Sequence, residues 1–379
     1  YKRQDKIVHC KEHQAVALEA ARQSIVLLKN QDNLLPLQKT LKSVAVIGPN
    51  ADEQKELICR YGPSNAPIKT VYKGIKEALP RAKVVYKKGC EIVDPHFPES
   101  EVLPFDITPK EQQMMDEAIE AAKSAEVVIM VLGGSEVTVR EERSRTSLDL
   151  PGRQEELLKA VCKLGKPTIL VMIDGRASSI NYAKKYVPAI LHAWFPGEFC
   201  GQAVAETIFG DNNPGGRLAV TFPKSVGQIP FAFPFKPGSD SGCGTSVTGA
   251  LFPFGHGLSY TTFEYSNLRI SPEQQGVLGE VKVSCTVKNT GKRIGDEVVQ
   301  LYLRDEISSV TTYVKILRGF ERITLQPNEE KEVTFTLSPQ DLAIWDKNMK
   351  FQVEPGTFKV MIGASSKDIK LEGKFTINK

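Results

Sequence analysis

Five short runs of continuously apolar, largely β-branched residues, separated by segments of helical composition, constrain this chain more than any other feature. They are SVAVIG (Ser43 to Gly48), AKVVY (Ala82 to Tyr86), EVVIMVLG (Glu126 to Gly133), PTILVMI (Pro167 to Ile173) and PAILHAWF (Pro188 to Phe195). A strand with one wet face alternates polar and apolar residues, whereas a strand covered on both faces does not. Between the runs lie the helix candidates EQQMMDEAIEAAKSA (Glu111 to Ala125), GRQEELLKAVCKLG (Gly152 to Gly165) and EFCGQAVAETIFG (Glu198 to Gly210). Alternation of this kind predicts an α/β three-layer sandwich with a mainly parallel sheet. A further helix is predicted over His13 to Lys29, which is rich in alanine and leucine and free of glycine and proline.

From about Gly279 the period changes to two. VKVSCTVKN, DEVVQLYLRD, KEVTFTLS and GTFKVMIGAS place apolar residues at every second position. The turns NTGKRIGD, QPNEE and EPG fall at the spacing of an all-β, immunoglobulin-like sandwich. The stretch from Gly215 to about Pro272 is dense in proline and glycine, and its aromatics (Phe231, Phe233, Phe235, Phe252, Phe254) read as packing. The expected division is an α/β domain over 1–222, a connector over 223–278 and a sandwich over 279–379.

The length of 379 residues fits about two or three domains. A formal net charge of +4 with no long basic run gives no reason to expect nucleic acid. No apolar segment approaches the ~18 residues of a membrane span, and no signal peptide is legible. The chain opens at Tyr1, so it is expected to be a mature or excised piece that has shed any targeting segment. Seven scattered cysteines form no C-x-x-C pair and no disulfide framework, and Cys162, Cys200 and Cys285 read as small core residues. His9 and His13 lack zinc spacing, so no metal and no cofactor is expected.

The stretch VLGGSEVTVREERSRTSLDLPGRQ (Val131 to Gln154) holds the chemistry. A buried strand ends in two glycines, and Glu136, Arg140, Glu141, Glu142, Arg143, Arg145 and Asp149 follow without periodicity. In open parallel sheets, ligand crevices form at the carboxyl ends of strands. GPNAD (Gly48 to Asp52), DGRAS (Asp174 to Ser178) and WFPGE (Trp194 to Glu198) should emerge at that same edge. Carboxylates crowded among arginines can supply a general acid. The same charges also suit a solvated loop laced with weak ion pairs. GPNAD lacks the glycine spacing of a phosphate loop, which argues against nucleotide binding.

Long ordered segments carry a resemblance. They are ALEAARQSIVLLKNQDNLLPL, VAVIGPNAD, EERSRTSLDLPGRQEEL, WFPGEFCGQAVAETIFGDNNPGGRLAVTFP, LFPFGHGLSYTTFEYSNL, VKNTGKRIGDEVVQLYLRD, VKILRGFERITLQPNEEKEVTF and VEPGTFKVMIGASS. Along nearly its whole length the chain resembles the non-barrel part of glycoside hydrolase family 3, the β-glucosidases and β-xylosidases. That implies a carboxyl-terminal α/β domain followed by a fibronectin type III-like domain. It also implies a preceding (β/α)8 barrel with the nucleophilic aspartate, a β-linked oligosaccharide or glycoside as substrate, and a periplasmic or secreted setting. The family's general acid/base glutamate lies a few residues before an arginine that precedes L-x-L-P. Here that arginine is Arg145 and the glutamate Glu141, with Glu142 the rival by one position and Glu136 more distant. Glu142 and Arg145 are expected to support the acid. Relatives often carry aspartate where this chain has Ser144, so ion pairing around Arg145 should differ. The competing expectation is a non-catalytic module that binds carbohydrate or supports an assembly.

Overall fold

The computed structural model describes residues 7–54, 67–239 and 246–379, so Cys59 and Cys243 lie outside the described residues. The chain divides into two compact units, residues 1–216 with 224–226, and residues 217–223 with 227–379.

The first unit is the predicted α/β sandwich. Its strands are β1 (Val26–Asn30), β2 (Ser43–Ile47), β3 (Lys83–Lys87), β4 (Val127–Gly133), β5 (Thr168–Ile173) and β6 (Ala189–His192). Among the described residues they form one sheet in the order β1-β6-β5-β4-β2-β3. Pairings β2–β3, β2–β4, β4–β5 and β5–β6 are parallel, so these strands all end at one edge. Every residue of β4, β5 and β6 is buried, which is why their sequences do not alternate. Helices α1 (Lys11–Ser24), α2 (Val71–Ala78), α3 (Pro109–Lys123), α4 (Gln154–Cys162), α5 (Asn181–Tyr186) and α6 (Cys200–Phe209) complete the unit. No helix of the described residues is long and apolar enough to cross a membrane. Cys200 is fully buried, and Cys162 is partly buried, with its thiol pushed up to about 11 by burial.

The expected helix over 13–29 is too long. It ends at Ser24, and Ile25 already has extended backbone (φ −66°, ψ 127°). Val26–Asn30 then becomes β1, antiparallel to β6, with Val26 opposite His192. Ile25, Val26, Leu27 and Leu28 are all at most 2% exposed. Four consecutive apolar residues on a helix would point around its circumference. A strand covered on both faces buries all of them, and tertiary burial overrides the helical composition.

The second unit is a mainly antiparallel sandwich, and it starts earlier than 279. Among its described strands only Gln274–Gly276 and Ile369–Asn378 pair in parallel. Strand β7 (Phe263–Ser271) pairs antiparallel with β9 (Val281–Asn289), Phe263 opposite Asn289 and Ser271 opposite Lys282. Alternation in β7 is obscured by a register shift between Ser266 and Arg269. The expected boundary at 222 moves too, because Arg217–Pro223 belongs to this unit. There the Arg217 guanidinium (Nη2) meets Glu297 Oε1 at 3.1 Å with both side chains buried. Strands β8 (Gln274–Gly276), β10 (Gly295–Asp305), β11 (Ile316–Leu325), β12 (Glu330–Leu337), β13 (Ile344–Trp345), β14 (Phe351–Gln352), β15 (Gly356–Gly363) and β16 (Ile369–Asn378) follow. One sheet runs β11-β10-β15-β16-β8 and the other β12-β9-β7. Val281, Val283, Cys285 and Val287 of β9 fill the core with Val299, Leu301, Val360, Ile362 and Phe375. Connector aromatics pack on one another: Phe233 stacks on Phe254 with ring centroids 4.6 Å apart, and Phe222 meets Phe252 edge-on.

Candidate active site

The floor at the sheet's carboxyl edge is backbone. β2 runs directly into Gly48 and β4 ends on Gly133, both in a conformation that L side chains rarely adopt (φ +134° and +145°). A Cβ at Gly48 would stand 2.0 Å from the Val131 carbonyl oxygen, and one at Gly133 would stand 2.0 Å from that of Ile173. Only glycine allows each corner to lie on the neighbouring strand. Gln154, fully buried at the start of α4, fixes the second corner. Its Oε1 accepts from Gly133 N (2.8 Å), and its Nε2 donates to the Gly133 carbonyl (2.8 Å). Asn50 Nδ2 donates to the Gly134 carbonyl at 2.9 Å, which ties the first loop to the second.

The charged loop rises from this floor in two steps. Ser135 to Val139 form a tight turn, with Thr138 N and Val139 N both donating to the Ser135 carbonyl (3.0 and 2.8 Å). Then Arg143 N donates to the Arg140 carbonyl at 3.3 Å, which makes Glu141 and Glu142 the two corner residues of a β-turn. Both are exposed, and Glu142 sits in the left-handed region at φ 63°. A non-glycine residue there is strained, and such strain clusters at functional sites. Glu136 pairs with Arg140 at 3.1 Å.

Arg145 anchors the far side of the loop. Its guanidinium Nε pairs with Glu101 Oε1, with side-chain exposures of 5% and 7%. Its Nη1 donates to the Asp149 carbonyl at 3.0 Å. Glu101 Oε2 accepts from Thr146 N (2.9 Å) and Thr146 Oγ1 (3.1 Å). A buried arginine requires a carboxylate. With Ser144 in the preceding position, Glu101 supplies it from the segment between β3 and α3.

The next loop, after β5, supports the first. Asp174 is 2% exposed and accepts from Ser178 Oγ (2.5 Å) and Arg176 N (3.1 Å). Burial holds its carboxyl pKa above the ordinary carboxylate value, against those bonds and the charges of Arg145 and Arg176. The Arg176 guanidinium reaches back to the charged loop, Nε donating to the Thr138 carbonyl (3.0 Å) and Nη2 to the Arg143 carbonyl (2.5 Å). Beneath lies His192, whose Nδ1 accepts from Trp194 N (3.2 Å). Complete burial drives its pKa down to about 3, so the ring is neutral.

The structure thus puts Glu141 and Glu142 side by side on an exposed turn, while Arg145 bonds Glu101 and Asp149 at the turn's far anchor. Glu101, Gln154, Asp174 and Arg176 were not singled out from sequence. Only the placement of DGRAS at the sheet edge hinted at the last two.

A mainly parallel sheet with a carboxylate-bearing turn at its carboxyl edge, followed by an antiparallel sandwich, suits a hydrolase assembled from several domains. Residues 25–260 match the glycosyl hydrolase family 3 C-terminal domain and residues 297–366 a fibronectin type III-like domain. The chain belongs to glycoside hydrolase family 3. A β-xylosidase of Formosa agariphila is 45% identical over 368 residues, covering 94% of this chain and 49% of that protein. A periplasmic β-glucosidase of Salmonella typhimurium is 40% identical over 389 residues, 96% of this chain and 50% of that protein. A solved β-glucosidase structure from Erythrobacter marinus superposes with a TM-score of 0.90 at 35% identity, covering 99% of this chain and 52% of that one. The chain therefore spans about half the length of the curated relatives it matches.

Proposed function

We propose that this chain is the carboxyl-terminal part of a retaining, exo-acting β-glycosidase, with a β-glucoside or β-xyloside as substrate and Glu141 as its general acid/base. The observation that carries the reading is the position of Glu141, exposed at the corner of a turn whose two flanks are tied down. A carboxyl group so held can lean toward a sugar bound on a neighbouring domain without being buried in its own. The nucleophilic carboxylate belongs to an amino-terminal barrel outside this chain and attacks the anomeric carbon. Glu141 protonates the departing oxygen and then takes a proton from the water that releases the sugar, with the two carboxyl groups about 5–5.5 Å apart. Glu142 and Arg145 support the turn. The periplasmic relative suggests a periplasmic or secreted setting for this protein as well.

The test uses the full-length enzyme. Glu141→Ala should lower turnover of glycosides with poor leaving groups by about 10²- to 10⁴-fold, the usual worth of general acid catalysis. Cleavage of a dinitrophenyl glycoside to the glycosyl-enzyme should barely change, because that leaving group needs no proton. Azide should then speed turnover, since an anion needs no general base. The same behaviour in Glu142→Ala but not Glu141→Ala would move the assignment by one residue. Its absence from both would place the acid outside this loop.

A further inference from the structure

We infer that Arg176 is the residue that positions the acid/base turn, a role resting on the reading of Glu141 given above. Its two side-chain bonds end on the carbonyls of Thr138 and Arg143, which bracket the Glu141–Glu142 turn on either side. A single planar guanidinium therefore fixes the width of the arch on which Glu141 stands. Arginine suits this task because its N–H groups diverge in a rigid fork, whereas a lysine ammonium is a point donor on a flexible stem.

Arg176 is itself held. Its backbone N–H donates to the buried Asp174 carboxyl at 3.1 Å. Asp174 in turn accepts from Ser178 Oγ at 2.5 Å. The anchor thus stands on the end of β5, one of the most deeply buried strands of the sheet. Val139, inside the arch, is also in place: a Cβ at Gly175 would lie 2.7 Å from Val139 Cγ1, so the Val139 side chain packs against the bare backbone of the DGRAS loop. The second anchor, Arg145 with Glu101, grips the chain only beyond the arch. Without Arg176 the segment from Thr138 to Arg143 keeps its ends and loses its span.

Displacing a catalytic group by about 1 Å can cost on the order of 10²-fold. Arg176→Ala in the full-length enzyme should lower kcat by about 10- to 100-fold for glycosides with poor leaving groups and leave KM nearly unchanged. Formation of the glycosyl-enzyme from the dinitrophenyl glycoside should lose little, although its hydrolysis, which uses the same carboxyl as base, slows. The dependence of kcat/KM on leaving-group pKa should therefore steepen as it does in Glu141→Ala. The Arg176→Ala/Glu141→Ala double variant should be no worse than Glu141→Ala, because a positioning group has nothing left to position. Arg176→Lys should recover only part of the loss, and it serves as the test variant if the alanine change impairs folding. Hydrogen exchange across residues 138–143 should rise in both variants. An equal loss of kcat/KM for every leaving group, or fully additive losses in the double variant, would overturn the inference and leave Arg176 a structural residue. Unchanged exchange across 138–143 would overturn it whatever the kinetics. If Glu141→Ala itself shows no leaving-group dependence, the assignment of the acid falls, and the exchange measurement still decides whether Arg176 holds the turn.

Discussion

Glu141 and Glu142 are adjacent in sequence but not equivalent in backbone. Glu142 carries the turn's left-handed conformation (φ 63°), which glycine adopts freely and β-branched residues resist. Glu142→Gly should therefore keep the leaving-group dependence of the parent full-length enzyme, whereas Glu142→Val should reduce stability and activity together. Melting temperature and aryl-glycoside kinetics measured side by side would separate turn-making from acid catalysis. His192 gives a pH signature. Its ordinary value is 6.5 and its buried value about 3. Below pH 6.5 the unfolded chain takes up a proton that the folded chain refuses, so stability falls as pH drops from 6.5 toward 3. The cost is at most about 1.4 kcal/mol per pH unit, or about 2 kcal/mol by pH 5. In urea denaturation, the stability lost between pH 7 and pH 5 should be smaller in His192→Leu than in the parent, and equal losses would count against a neutral buried ring. At this scale the sequence disclosed the acidic turn but not its supports. Arg145 meets Glu101 across 44 residues of chain and Arg176 meets Arg143 across 33, and such pairings exist only once the sheet has formed.

Elements were legible where burial is uniform. Strands β2, β4, β5 and β6 read directly because a strand covered on both faces must be apolar throughout. Strand β1 was not, because VLLK directly follows an alanine-rich helix and nothing local marks the break between Ser24 and Ile25. Leu27 is fully buried in β1. Leu27→Ala should cost about 2–5 kcal/mol, far more than the change would cost on an exposed helix face, and equilibrium denaturation measures the difference. Helix α3 carries a local boundary signal, although the helical run read over Glu111 to Ala125 starts two residues late. Thr108 Oγ1 accepts from Glu111 N (3.2 Å), Glu111 Oε2 accepts from Thr108 N (2.8 Å), and Pro109 opens the helix. Thr108→Ala should cost about 1 kcal/mol, and Thr108→Ser should recover most of it.

As a whole molecule, the chain joins two units with separate cores, and only the first carries the candidate acid. The nucleophile proposed here lies elsewhere in the full-length protein, so the purified 379-residue chain should hydrolyse no aryl β-glycoside. Turnover by that chain, lost in Glu141→Gln, would show that the nucleophile lies within it. The glycine corners at Gly48 and Gly133 have a consequence for engineering. They separate a part of the sheet edge that tolerates no side chain from a loop that stands above it on hydrogen bonds to main-chain atoms. A library randomised at Val137, Arg143 and Ser144 should return many folded clones, since each of these side chains is exposed. One randomised at the two corners should return almost none but the parent. Selection for new leaving groups can then be confined to the turn, with the sheet serving as an unchanging chassis.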